Sequence, residues 1–173
     1  MVKGLVMAHI WVTVCLSPEA VDEPMGALAR ALAPFEMYHV PPNRGVWDAW
    51  RTRGGGEGRG FYVRPGFEND PRLIHDSPRD DGFVLPTEFG QCAGGPKELL
   101  EVAVHTVRSA DVLTLDGWWI EGIKDGFTFY AGCDHDDDPC EHTAARPIPP
   151  GGNEAYLEAL PDSTVLARVY CHG

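Results

Sequence analysis

Apolar and polar positions alternate at the start of the chain. From His9 to Leu16 the apolar Ile10, Val12 and Val14 interleave with Trp11, Thr13 and Cys15, and β-branched and aromatic residues dominate, which predicts a buried strand. The period then becomes helical. Val21, Met25, Leu28 and Leu32 fall on one face, Ser17 or Asp22 is available as a cap, and Pro24 fits a first-turn position but would break a longer helix. A helix is therefore expected over about 24–33. Residues 34–95 lose both periods and are rich in proline and glycine, with seven glycines between Gly45 and Gly66. This stretch is expected to be a long irregular insertion, with 60–63 and 83–85 as its candidate short strands.

Periodicity returns at Pro96, which suits a first helical position, and Leu99, Ala103, Val107 and Ala110 then mark a buried stripe, predicting a helix to about Ser109. Residues 112–115 and 118–121 flank Asp116-Gly117, a hairpin signal, because Asp-Gly accepts the positive φ values a two-residue turn requires. Asp125-Gly126 leads into a further strand at 127–130. Asn153 is expected to cap a short helix carrying Tyr156, Leu157 and Leu160, and 164–171 closes the chain as an alternating strand. The order predicts an α+β fold: a mainly antiparallel sheet with two to three helices packed on one face, a layering that a ferredoxin-like order would satisfy. A single domain over 1–173 is expected.

Composition narrows the function classes. The chain has 173 residues, 43% of them apolar, enough to bury roughly 70% of the unfolded surface in one core. No run of 18 apolar residues offers a membrane span. The apolar stretch after Lys3 reads as strand rather than leader, because His9 interrupts it and no small-residue cleavage site follows. Five cysteines, an odd number, with no Asn-X-Ser/Thr acceptor, argue against a secreted disulfide framework, so a cytoplasmic location is expected. Fourteen basic residues stand against 26 acidic ones, and the net charge of −12 repels nucleic acid and anionic membranes. Neither general nucleic-acid binding nor membrane association is expected. The same field suits docking onto a basic surface of a host or defence protein, in the extreme case by imitating nucleic acid.

Charge geography changes this picture locally. Between Arg44 and Arg64 lie five arginines and two acids, a net of +3, whereas the rest of the chain has 9 basic and 24 acidic residues. Glycines across 54–60 offer backbone amides that can approach an anion closely, and guanidinium forks bind phosphate or carboxylate bidentately. Trp47 and Trp50 could stack on a base or a guanidinium. Arg51, Arg53, Arg59, Trp47 and Trp50 are thus the candidate anion or nucleotide pocket, a site for a phosphorylated small molecule. The competing picture is a surface loop whose arginines pair with the acidic body and whose tryptophans fill the core.

A second constellation is Cys133, His135, Cys140 and His142. If the strand from 127 continues to 133 and the chain returns after a turn at 136–139, two sulfurs face two imidazoles, a donor set suited to tetrahedral zinc. As a zinc-dependent hydrolase the protein would keep one position open for water, so three of the four would bind the metal. The competing picture is a solvated acidic loop. Asp134, Asp136 and Asp138 have the opening spacing of an EF-hand, but Pro139 and Ala145 occupy the places of its glycine and closing glutamate. Cys171-His172 would meet His9 if the first and last strands pair antiparallel.

Several phrases stand in order along the chain: Val14-Cys15-Leu16; Ala31-Leu32-Ala33-Pro34-Phe35-Glu36; Trp47-Asp48-Ala49-Trp50 with its glycine and arginine loop; Asp116-Gly117-Trp118-Trp119; Leu157-Glu158-Ala159-Leu160-Pro161-Asp162; and the closing Cys171-His172. In these the chain resembles a family of small uncharacterised proteins of actinobacteria and their phages, marked by Trp-Asp-Trp and Gly-Gly-Arg-Trp. The chain departs from that pattern at Ala49, which replaces the second Trp, at 53–60, where no Trp follows the Arg, and at Tyr170, where the family tends to carry an acid. The resemblance implies a phage-type accessory gene product with no known catalysed reaction. The expectation is a non-catalytic accessory protein that binds a host or defence protein, or a phosphorylated small molecule through Arg51, Arg53 and Arg59. A zinc-dependent hydrolase and an acidic nucleic-acid mimic are the alternatives.

Overall fold

The computed structural model describes residues 9–36, 47–54, 60–78, 90–101, 110–120, 130–132 and 152–172. The alternating opening segment forms β1 (His9–Leu16). A 3-10 turn at Pro18–Val21 precedes α1 (Pro24–Leu32), which has Pro24 in its first turn and Glu23 at its N-cap, with no capping bond from that side chain. Neither Ser17 nor Asp22 caps α1; the Ser17 carbonyl instead accepts the Ala20 N–H at 3.0 Å. There follow β2 (Ala49–Thr52), β3 (Phe61–Val63), β4 (Gln91–Cys92), β5 (Gly94–Pro96) and, after a 3-10 turn at Lys97–Leu99, β6 (Leu100–Glu101). The remaining elements are β7 (Asp111–Leu113), β8 (Trp119–Ile120), β9 (Tyr130–Gly132), α2 (Gly152–Ala159) and β10 (Val165–His172). The expected strand at 83–85 lies outside the described residues.

The main sheet runs β2-β10-β1-β7-β8-β9. Its axis is the pairing of β1 with β10, antiparallel from His9↔His172 to Leu16↔Val165, so the two terminal strands do meet. The far side of β10 is shared: β5 takes Val165, Leu166 and Ala167, and β2 takes Val169 through His172. Arg168 sits at the joint, its N–H donating to Ala93 O at 2.7 Å and its C=O accepting the Arg53 N–H at 3.1 Å. A smaller sheet runs β4-β3-β6.

The chain is α+β, as its element order predicts, but the helices do not share one face. Val12, Val14 and Leu16 of β1 pack with Leu28 and Leu32 of α1, together with Val165, Ala167 and Val169 of β10. Cys15 of β1 and Leu166 of β10 point the other way, into a second core with Phe61, Val63 and Leu100 of the small sheet and Leu157 of α2. Both sides of the strand pair are therefore apolar and covered, which removes the solvated face that one-sided packing assumes. A ferredoxin-like order would place a strand between the two parallel members of its β-α-β unit; here β1 and β7 are direct parallel neighbours.

Three local expectations are corrected. Pro96 closes β5 and leads into the 3-10 turn Lys97–Leu99 instead of starting an α-helix, because the Lys97 N–H donates to Thr164 O at 2.8 Å and the Glu98 N–H to Asp162 O at 2.9 Å. Those sequence-distant bonds hold Lys97 and Glu98 against the approach to β10, where tertiary pairing outweighs local preference; residues 102–109 of the expected helix lie outside the described set. The hairpin pairs Val112↔Ile120 and Leu113↔Trp119, one step wider than a two-residue turn allows. Thr114 O accepts the Gly117 N–H at 3.1 Å and Gly117 takes φ +86°, a four-residue turn that ends on a left-handed glycine. Asn153 is no cap: it is buried inside α2 and its Nδ2 donates to Ala110 O at 3.3 Å.

Candidate functional site

Strand β2 is the outermost strand of the main sheet on the β10 side, and its register decides which side chains meet. Arg51 lies opposite Tyr170 and Ala49 opposite His172. Side chains two apart share a face. Arg51 and Arg53 accordingly converge on Tyr170, with their guanidinium carbons 5.6 and 5.1 Å from its ring centroid. Trp11 of β1 meets the same ring edge-on at 4.9 Å. Arg168 lies on this face too, 1% exposed, with its guanidinium 5.3 Å from the Phe61 centroid. Such cation–ring contacts hold a guanidinium without neutralising it.

The segment after β3 returns beside β2. Thr52 Oγ1 donates to His75 O at 2.9 Å, so the 2.6 Å contact between the two hydroxyls has Ser77 Oγ donating to Thr52. Ser77 Oγ in turn accepts the Thr52 N–H at 3.3 Å, and the Ser77 N–H donates to Thr52 O at 2.9 Å. At the other end of β2, His172 Nδ1 meets Asp48 Oδ1 at 2.7 Å, with both side chains about a third exposed.

Between these fixed points lies a cleft of about 500 Å³, walled by Met25, Trp50, Arg51, Ser77, Tyr170 and His172. That volume suits a small ligand, and the lining mixes apolar surface with a few polar groups, as ligand pockets do. Arg51 is its cation. Among the described residues Arg51 meets no carboxylate at ion-pair distance, and its Nε is buried without a hydrogen-bond partner. The pairs formed elsewhere join Arg30 to Glu23 and Arg72 to Asp70 and Glu98.

The structure separates the residues that the sequence groups together. Arg51 and Trp50 line the cleft, and Arg53 stands behind it across Tyr170. Trp47 is a core residue: it is 8% exposed in the α1-side cluster, and its indole N–H donates to Leu32 O at the end of α1 at 2.8 Å. Arg59 lies outside the described residues, as do Cys133, His135, Cys140 and His142. Among the described residues no group of three or more His, Cys, Asp or Glu side chains is placed to hold a metal. Cys171 and His172 point to opposite faces of β10, so the strand pairing does not build a joint Cys/His site. Tyr170 and Ser77 are the cleft groups that sequence reasoning missed, and His172, singled out only for a meeting with His9, joins them with Asp48 as its partner. Only the alternation in 164–171 hinted at Tyr170.

A second cleft of about 450 Å³ lies at the carboxyl ends of the parallel strands β1 and β7, between Leu16, Ser17, Leu113, Thr114, Leu115 and Thr164, with no charged side chain among the described residues of its wall. Cys15 borders it, but its thiol is packed in the second core and burial pushes it far above its ordinary value. Burial likewise pushes Cys92 and Cys171 up to about 12. A thiol is nucleophilic only as thiolate. Iodoacetamide at pH 8 is therefore expected to leave Cys15, Cys92 and Cys171 unmodified in the native protein and to label them after denaturation. Peptide-resolved mass spectrometry checks this, and native labelling at any of the three would show the core to be more open than described.

Protein-family models, curated proteins and solved structures offer no match to this chain.

Proposed function

We propose that the protein binds an anionic, phosphorylated small molecule in the cleft beside β2, as a non-catalytic accessory protein. One observation carries this reading: Arg51 stands in the cleft wall, stacked on Tyr170, with no carboxylate of the described residues against it. A guanidinium held by a ring keeps its full charge and offers its remaining N–H groups as a fork to phosphate. The surrounding body, with a net charge of −12, repels long polyanions, whereas a single phosphate needs only the local cation.

Titration calorimetry with ribose 5-phosphate tests the reading. Arg51→Ala is expected to weaken binding at least ~10-fold, because charge-assisted hydrogen bonds to the anion are lost. Arg51→Lys keeps the charge without the fork and is expected to fall between the two. Since Arg51 belongs to an edge strand, the melting temperature should stay close to that of the wild type. Unchanged affinity in Arg51→Ala, or no binding by the wild type at millimolar concentration, overturns the proposal.

A further inference from the structure

We infer that the anion of this cleft is one end of a mononucleotide, whose base is read by the open main-chain edge of Trp50; this rests on the binding reading above. The ladder between β2 and β10 fixes which way each residue's main chain turns. The Arg53 N–H donates to Arg168 O at 3.1 Å, so the main chain of Arg53 and, two residues earlier, of Arg51 turns toward β10. Trp50 and Thr52 therefore turn their N–H and C=O groups away from the sheet. At Thr52 both groups are taken, the N–H by Ser77 Oγ and the C=O by the Ser77 N–H. At Trp50, no described residue hydrogen-bonds to either group, and the cleft runs along this edge.

The number of open groups selects the ligand. A run of unpaired N–H and C=O groups would accept an added strand. Here the contact with Ser77 closes the edge two residues on and, among the described residues, leaves the donor and acceptor of Trp50 side by side, too few to hold an extended peptide. A nucleobase presents the complementary arrangement, a ring acceptor beside an exocyclic or ring donor. The walls suit a ring: Met25, 44% exposed, and Pro78 supply apolar surface beside Trp50. The phosphate is then met by the next residue, Arg51, whose long side chain leaves room for a ribose between the two contacts. A polynucleotide is disfavoured by the net charge of −12, which acts on every further phosphate.

Calorimetry on the full chain compares AMP, GMP, CMP and UMP with ribose 5-phosphate, and NMR hydrogen exchange follows the Trp50 amide in the complex with the tightest of the four. At least one mononucleotide should bind ~10-fold or more tightly than ribose 5-phosphate, from stacking and base-edge bonds together. The Trp50 amide should exchange more slowly in that complex. Equal affinity for ribose 5-phosphate and all four mononucleotides overturns base recognition and leaves the anion site standing. Tight mononucleotide binding without slowed exchange at Trp50 overturns the main-chain edge as the reader. Failure of every phosphate compound to bind removes this inference and the binding reading together.

Discussion

Replacing Gly94 with alanine is expected to lower the unfolding free energy by about 3 kcal/mol or more, because a side chain there meets backbone that cannot rotate aside. A Cβ built at Gly94 stands 2.0 Å from the carbonyl oxygen of Leu166 and 2.8 Å from the Cα of Ala167. Relief requires β5 to withdraw from β10, with which Gly94 is paired at Ala167. Gly94 also exchanges hydrogen bonds with Ile74, accepting at 2.7 Å and donating at 3.1 Å, so a shift disturbs a third segment. For a chain of this size the loss corresponds to a melting temperature lower by roughly 6–12 °C. Gly117→Ala is the control. Its φ is +86° but no atom lies within 4 Å of a built Cβ, so only left-handed strain, about 1 kcal/mol, is expected. Urea denaturation of the two variants separates crowding from strain, and a Gly94→Ala protein as stable as the wild type would refute the close approach of β5 to β10.

Trp119→Ala is expected to cost about 3–5 kcal/mol, the range for deleting a large aromatic from a core. Trp119 is 1% exposed, and its ring lies 5.0 Å from that of Phe35, joining β8 to the end of the α1 segment. Its indole N–H donates to Asp111 Oδ2 at 2.9 Å, a bond to a carboxylate that is itself 3% exposed. Trp119→Phe keeps most of the apolar volume and removes that donor, so about 2 kcal/mol of the loss should persist in it. Equilibrium unfolding of the pair divides packing from hydrogen bonding, and a Trp119→Phe variant of wild-type stability would show that the bond to Asp111 contributes nothing.

What could be read from the sequence was local. Strand β1 matches its alternation residue for residue, α1 begins at Pro24 as the proline requires, and Asp116-Gly117 does sit in a hairpin turn. What failed was decided by distant partners. The helix expected from Pro96 does not begin there, because the Thr164 and Asp162 carbonyls hold Lys97 and Glu98 beside the entry to β10; the rest of its stripe, at 102–109, lies outside the described residues. One-sided helix packing failed because Cys15 and Leu166 serve a core of their own, under Phe61 and Leu157. At the cleft, the reversal of charge drew attention to Arg51 and Trp50, since composition carries that signal directly. Asp48, Ser77, Tyr170 and His172 come together only through strand register, which no local pattern encodes. Trp47 and Trp50 look equivalent in sequence, but one closes the end of α1 and the other faces the cleft.

With α1 over one face of the strand pair β1–β10 and the small sheet with α2 over the other, little of the central sheet is left to meet the outside except its rim. Both clefts lie on that rim, one along the border of β2 and one where β1 and β7 end. On the proposed reading, the cleft residue Arg51 belongs to the border strand β2 and to neither core, so a change of ligand preference there would leave the interior packing in place.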